Sequence, residues 1–216
     1  RGGHAQPDDP GLPEPGAGTW VIEDGEYSGQ GDRSVSDLKF KDFTMELDTQ
    51  TIQPGNSNPW QTAWINIRYA ESTADPRKAQ DCYYFVMHTD GKIELAKWQA
   101  GKQYFLYNKY TSYRPTNKNH IKIVAQAANL RIYINGMLEI NYTDPNPLLA
   151  EGKVALESYY CHSHFDNVSI TAGTQTYNYD FNIDDNEFIF GYGWTHLYSL
   201  RIRENSNHLT LYRENN

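Results

Sequence analysis

Two short runs of alternating residues carry the side chains best suited to chemistry. They cover Trp64–Arg68 (WINIR) and Tyr84–His88 (YFVMH). In a β-strand, residues i and i+2 point to the same face, so each run would present its polar and aromatic groups together. If the two strands are neighbours, an aromatic ring can stack on a sugar while Arg and Asn supply forked hydrogen bonds. The predicted saccharide-binding residues are Trp64, Asn66, Arg68, Tyr84, His88 and Lys97.

The same residue types could also carry out β-elimination on a uronate polymer. Arg or Asn would neutralise the uronate carboxylate, His or Tyr would remove the neighbouring proton, and a Tyr would protonate the leaving oxygen. This alternative gives catalytic roles to Arg68, Tyr84, His88 and Tyr107. The stretch that contains Tyr107 (QYFLYNKY) is equally typical of an ordinary Tyr-rich strand.

A candidate metal site lies on one of the later alternating segments. His162-x-His164, with Asp166 two residues further on, places three potential ligands on one face of a predicted strand. Zinc or copper would accept the imidazoles, with a further ligand from elsewhere. The pattern is also common on a solvated strand edge, and the sequence favours that interpretation.

A β-sheet must position these groups, because the chain consists of short alternating segments separated by Gly, Asn, Asp and Pro. Thr89-Asp90-Gly91 and Asn135-Gly136 are the clearest hairpin turns. No segment keeps a helical period over a sufficient length. Short strands with regularly spaced turns predict an all-β fold, a two-sheet antiparallel β-sandwich of the jelly-roll type.

The sandwich is predicted to occupy residues 19–171, with further strands of the same domain in 172–216. Residues 1–18 contain four Pro and five Gly and are interpreted as a leader or linker. Leader or tail could pair with an open sheet edge of a neighbour, which would produce self-association.

Composition restricts the function further. The 216-residue chain has a net charge of −8 and no Lys/Arg run, so we expect no nucleic-acid partner. No run of about 18 apolar residues occurs, so we expect no membrane span. Aromatic residues make up 14% of the chain, and large rings with polar tips suit binding surfaces as well as pleated sheets. Cys82 and Cys161 could form a disulfide or remain buried thiols, and the sequence leaves both open.

The order of segments is similar to a known family. Gly18–Gly25 (GTWVIEDG) resembles the opening of concanavalin A-like lectin/glucanase domains, closest to the laminin-G-like and 3-keto-disaccharide-hydrolase-like branches. The resemblance covers about residues 18–171. It is continued in order by Lys41–Glu46, Trp64–Arg68, Tyr84–Leu95, Asn119–Gly136, Gly152–Leu156 and Phe165–Ile170.

The resemblance implies a secreted protein that acts on or binds carbohydrate. Many such sandwiches hold a structural Ca²⁺ where an acidic residue of the last strand meets carboxylates near the first, which implies Asp166 with Glu23 or Asp48. The Glu-x-Asp-x-x-Glu signature of the related glucanases is absent, so glycoside hydrolysis by a carboxylate pair is not favoured.

Three functions therefore remain open. The favoured one is an extracellular β-sandwich that binds a polysaccharide in a concave groove. The alternatives are a polysaccharide lyase and an extracellular structural or assembly protein.

Overall fold

The protein was analysed as a computed structural model, which describes residues 19–31, 33–74, 79–181, 194–196, 200–205 and 208–213. The side chains of Thr19, Val21 and Glu23, and those after Phe181, lie outside the described part, as does the predicted leader 1–18. The described residues form strands joined by turns. Their bounds are β1 Thr19–Glu23, β2 Glu26–Gln30, β3 Arg33–Phe40, β4 Phe43–Gln53, β5 Ala63–Glu71, β6 Ala79–Met87, β7 Lys92–Gln99, β8 Lys102–Tyr110, β9 Asn119–Gln126, β10 Asn129–Ile134, β11 Met137–Thr143, β12 Gly152–Ser158, β13 His162–Ala172, β14 Gln175–Tyr179, β15 Trp194–His196, β16 Leu200–Asn205 and β17 His208–Arg213.

These strands form two antiparallel sheets, so the predicted β-sandwich is confirmed. In the described residues one sheet has ten strands, in the order β11-β10-β9-β4-β13-β2-β1-β17-β16, with β14 paired to β13. The other has seven, in the order β15-β3-β12-β5-β6-β7-β8. Strands that follow Ala172 thus pair into both sheets.

The core lies between the sheets and is built by strict alternation. In β4, for example, Phe43, Met45 and Leu47 are buried while the residues between them are partly exposed. Aromatic rings fill one end, where Trp20 packs on Tyr27 and on Phe165 with centroids 4.9 and 5.9 Å apart. Burial of this apolar surface is the main source of stability.

Cys82 and Cys161 are free thiols, and both are buried. No disulfide joins them, which settles the alternative that the sequence left open. Burial raises the pKa of each thiol to about 12, so both stay protonated at neutral pH.

No helix in the described residues is long and apolar enough to cross a membrane.

Candidate saccharide-binding face

One face of the seven-stranded sheet packs on the core. The opposite face, which points away from the core, is the open face. Directly opposite residues of antiparallel neighbours share a face. The register therefore sets Glu157, Trp64, Val86 and Glu94 in one row across β12, β5, β6 and β7. Ile65, the residue that follows Trp64 on β5, points the other way and belongs to the core. Alternation on these strands thus separates a polar, aromatic face from an aliphatic one.

Four of the six predicted binding residues lie on or beside the open face. The rings of Trp64 and Tyr84 stack with centroids 4.6 Å apart, and Asn66 pairs with Tyr84 across the strands. His88 follows the end of β6 and continues the alternation of Tyr84 and Val86. The neighbourhood predicted from the two runs is therefore present, although most of these side chains are buried rather than open to solvent.

Arg68 is not part of that face, and the expectation that it shares a face with Trp64 and Asn66 is wrong. The register between β5 and β6 shifts after Ile67, and Arg68 has a positive φ of 50°. Such a bulge inserts one residue and turns the following side chains over. Tyr69 takes the open-face position instead, packed with Val35 and Cys82.

The displaced guanidinium of Arg68 ties together loops at one end of the sandwich. It donates to the carbonyl oxygens of Lys41, Ala127 and Leu148 at 2.9, 2.8 and 2.6 Å. It also donates to the carboxylate of Asp42 at 3.2 Å, and its side chain is fully buried. Its contacts are therefore structural.

Lys97 and Tyr107 also lie away from the open face, so their predicted places there are wrong. Lys97 pairs with core-facing Tyr83, and its ammonium is buried against the Asp144 carboxylate at 2.7 Å. Tyr107 stands opposite Leu95 and packs against the core. The open-face positions of β7 are Glu94, Ala96 and Trp98, so Lys97 points to the core side, as does Tyr107, which lies opposite Leu95 on β8.

The environment of His88 makes its ring neutral. The side chain is 3% exposed, its ring lies 6.2 Å from that of Trp60, and its Nε2 has no hydrogen-bond partner. Burial, with the nearby Lys92 ammonium, lowers the pKa of His88 to about 4. The Glu94 carboxylate is 3.9 Å from Nε2, and since the ring is neutral at pH 7, the two groups form no ion pair there.

Tyr84 cannot readily serve as a base. Burial, together with the nearby Glu94 carboxylate, raises the pKa of its phenol well above the ordinary value. Its oxygen accepts a hydrogen bond from Gln103 at 2.6 Å. With Arg68 and Tyr107 elsewhere, the residue set predicted for uronate β-elimination is not brought together.

Two carboxylates do lie on the open face. Glu157 accepts hydrogen bonds from Asn66 at 3.1 Å and from Arg33 at 3.3 Å. Glu94 accepts one from Lys92 at 2.9 Å. Three strand spacings separate the two backbones, which is about 14 Å. This backbone separation is larger than the distance between the carboxyl groups of retaining and inverting glycosidases, about 5–10 Å.

Sequence reasoning missed the exposed part of this face. Strand β8 forms an edge of the seven-stranded sheet within the described residues. Phe105 and Tyr110 are 61% and 71% exposed, and Asn108 between them is exposed too. On β7, Ala96 lies opposite Phe105, Glu94 opposite Asn108 and Lys92 opposite Tyr110. The turn at Thr89–Gly91 could have suggested that Lys92 and Glu94 lie near His88, but the bulge between β7 and β8 hides which residues of β8 share their face.

Two of the three predicted calcium ligands lie on the outer face of the ten-stranded sheet. Asp48 and Asp166 are direct cross-strand partners, and Asn167 donates to both carboxylates at 2.9 and 3.1 Å. His120 also bonds Asp48 at 2.8 Å, while the Glu23 side chain lies outside the described part. Calcium binding stays a prediction, which thermal unfolding with calcium or with a chelator can test.

Comparisons with known proteins identify the family. A model of the 3-keto-α-glucoside-1,2-lyase-like domain matches residues 9–171. The chain belongs to this family. The resemblance drawn from the sequence is thereby confirmed, and the domain is a carbohydrate-related β-sandwich. No curated protein matches the chain.

Solved structures share the fold at low sequence identity. A carbohydrate-binding module of type CBM66 from Bacillus subtilis is 18% identical with a TM-score of 0.55, over 74% of this chain and 99% of that one. A Bacillus subtilis protein of unknown function with a galectin-like fold is 12% identical with a TM-score of 0.57, over 72% of this chain and 86% of that one. At these identities the likeness establishes the fold.

Proposed function

We propose that this domain binds a saccharide chain on the open face, along strands β7 and β8. The observation that carries the proposal is the exposed row Phe105, Asn108 and Tyr110 beside the polar residues of β7. Aromatic rings offer flat surfaces to the C–H groups of a sugar, and an amide between them can both donate and accept hydrogen bonds. The row is about 13 Å long, from four residues of rise along β7, which is enough to contact more than one sugar ring.

A partly exposed aromatic layer continues this row toward the middle of the sheet. Trp60, Trp98 and Tyr159 pack over the buried cluster that contains Trp64 and Tyr84. Tyr159 lies 4.8 Å from the ring of Trp64. The layer supports a binding surface of several rings, whose positions are fixed by the strands beneath them.

Beside the β8 row, the charges favour a neutral saccharide over a uronate. Two further lysines of the open face, Lys39 and Lys153, lie on β3 and β12, away from that row. Arg33 is paired with Glu157, and Lys92 with Glu94, while His88 is neutral at pH 7. A uronate would need an uncompensated cation, and Arg68, predicted for that role, is bound to loop carbonyls and Asp42. The proposed ligand is therefore a neutral polysaccharide or oligosaccharide, and the proposed place of action is extracellular.

Affinity gel electrophoresis with neutral and uronate-containing polysaccharides tests this proposal. The protein is expected to be retarded by at least one neutral polymer. Phe105→Ala and Tyr110→Ala should each weaken binding about three- to tenfold, the range expected for one lost ring contact. Tyr133→Ala is the matched control, because Tyr133 is a partly exposed ring on β10 of the other sheet. Equal weakening by the control, or no weakening by either β8 variant, would contradict the proposal.

The family favours a second function, elimination from a 3-keto glucoside. The C3 ketone acidifies the proton on C2, so a base can remove it while the C1–O bond breaks and a C1=C2 double bond forms. His88 is the candidate base, because its ring is neutral and its Nε2 has no hydrogen-bond partner. The imidazolium formed would return the proton to the leaving oxygen. Nε2 is buried, so a substrate reaches it only if side chains above it move.

Ultraviolet absorbance of the conjugated enone tests the second function directly. A 3-keto disaccharide should give a rising absorbance with the unchanged protein and none with His88→Gln. Absence of any rise, with saccharide binding retained, would leave binding as the function and exclude this elimination.

A further inference from the structure

The outer face of the ten-stranded sheet holds a histidine pair that the saccharide proposal does not use. His162 and His164 alternate on β13 and point to the same side of the sheet, away from buried Ser163 and Phe165. Their Nε2 atoms are 3.2 Å apart, and the two rings are inclined by 66°. Two imidazole nitrogens therefore converge on one point at the surface.

A neighbouring carboxylate determines which nitrogen of His164 carries the proton. Glu26 Oε2 lies 2.7 Å from His164 Nδ1. A carboxylate accepts hydrogen bonds, so Nδ1 is the donor, and in the neutral ring the lone pair is then on Nε2, the atom that faces His162. Carboxylates that orient histidine in this way commonly support metal-bound imidazoles. Lys118 holds the other oxygen of Glu26 at 2.6 Å and thereby fixes its position.

The spacing of the two nitrogens is that of a hydrogen bond between the rings, in which a metal would replace the shared proton, and it is compatible with tetrahedral coordination. With zinc–nitrogen bonds of about 2.0–2.1 Å, two ligands of a tetrahedral site lie about 3.3 Å apart, whereas adjacent ligands of a square-planar site lie about 2.9 Å apart. The observed 3.2 Å is close to the tetrahedral value. The hydroxyl of Ser28 is 2.9 Å from His162 Nε2 and adds a third polar atom at the same place.

We propose that His162 Nε2 and His164 Nε2 bind one zinc ion, with Glu26 as the carboxylate that orients His164. The side chain of His164 is 17% exposed, so the pair lies close to solvent. The described residues contain no group of three or more His, Cys, Asp or Glu in a metal-binding arrangement. Water, or a donor from a bound molecule, therefore completes the coordination. This site is on the opposite side of the sandwich from the saccharide face and is independent of it.

Isothermal titration of the full chain with zinc chloride tests the proposal. We expect one zinc ion per chain, with affinity at least about tenfold weaker in both His162→Gln and His164→Gln, and about 10–100-fold weaker in Glu26→Gln. His120→Gln is the matched control, because His120 lies on the same sheet face and pairs with Asp48 and Glu46. The control should bind zinc like the unchanged protein.

Cobalt substitution supplies a second measurement that does not depend on affinity. Co²⁺ held in a tetrahedral site gives strong visible absorption, and this should appear in the unchanged protein and disappear in either variant of the pair. Near-ultraviolet circular dichroism verifies that each variant is folded. The proposal is overturned if zinc does not bind below about 1 mM, or if the two histidine variants bind zinc as tightly as the control.

Discussion

Lowering the pH from 7 to 4 should destabilise this protein through His88. The folded ring resists protonation because it is buried and close to Lys92, whereas the ring of the unfolded chain accepts a proton near pH 6.5. Between these pH values the unfolded state binds more protons than the folded state. The free energy of unfolding must therefore fall as the pH falls.

The size of the effect follows from the two pKa values. The difference between 6.5 and about 4 corresponds to about 3 kcal/mol, since one pKa unit is equivalent to about 1.4 kcal/mol. The side chain is 3% exposed, so solvent screening reduces this figure little. The stabilisation is fully present above pH 6.5 and is lost as the pH approaches 4.

Urea unfolding at several pH values between 7 and 4, with the unchanged protein and His88→Gln, measures this contribution. Gln has a neutral polar side chain that does not titrate, so the variant lacks the histidine contribution but keeps those of the carboxylates. The stability of the unchanged protein should fall about 3 kcal/mol further than that of the variant, with equal m-values in both. Parallel profiles would refute the inference that His88 is buried and neutral.

Three further predictions concern residues that the structure places in the framework. Arg68→Met should lower the free energy of unfolding by about 3 kcal/mol or more, because three loop carbonyls lose a buried donor. Denaturant unfolding measures this change, and reduced saccharide binding with unchanged stability would contradict the prediction. Gly152→Ala should lower the free energy of unfolding by about 1–3 kcal/mol, because the added Cβ would overlap the backbone of Arg68 beside the β5 bulge. A thermal unfolding midpoint equal to that of the unchanged protein would count against this. Cys82 and Cys161 should react with a thiol reagent only in denaturant, because both are buried and their pKa is raised; prompt labelling of the folded protein would disagree.

The fold could be predicted because local patterns determine it. Thr89-Asp90-Gly91 joins β6 to β7, and Asn135-Gly136 joins β10 to β11, as their turn residues indicated. Alternation also identified which residues of Trp64–Ile67 face the core. Parity alone could have excluded Lys97, which has the same parity as Leu95 and Ile93 on the core side of β7.

The candidate site was harder to predict because it depends on irregular pairing. No glycine or proline marks the bulge at Arg68, whose positive φ is held by contacts with loops distant in the sequence. The bulge between β7 and β8 similarly shifts which residues of β8 share a face with Glu94. A single sequence contains alternation but not cross-strand register, so the exposed row on β8 could be recognised only from the paired strands.

Chemical-shift mapping of backbone amides by NMR, with the neutral saccharide that retards the protein most, tests the central claim most directly. Saturable shifts are expected along Lys92–Trp98 and Gln103–Tyr110, with little change on β9 and β10 of the ten-stranded sheet. Saturable shifts confined to the ten-stranded sheet, or no saturable shifts with any saccharide tested, would contradict the assignment of the open face as the saccharide-binding surface.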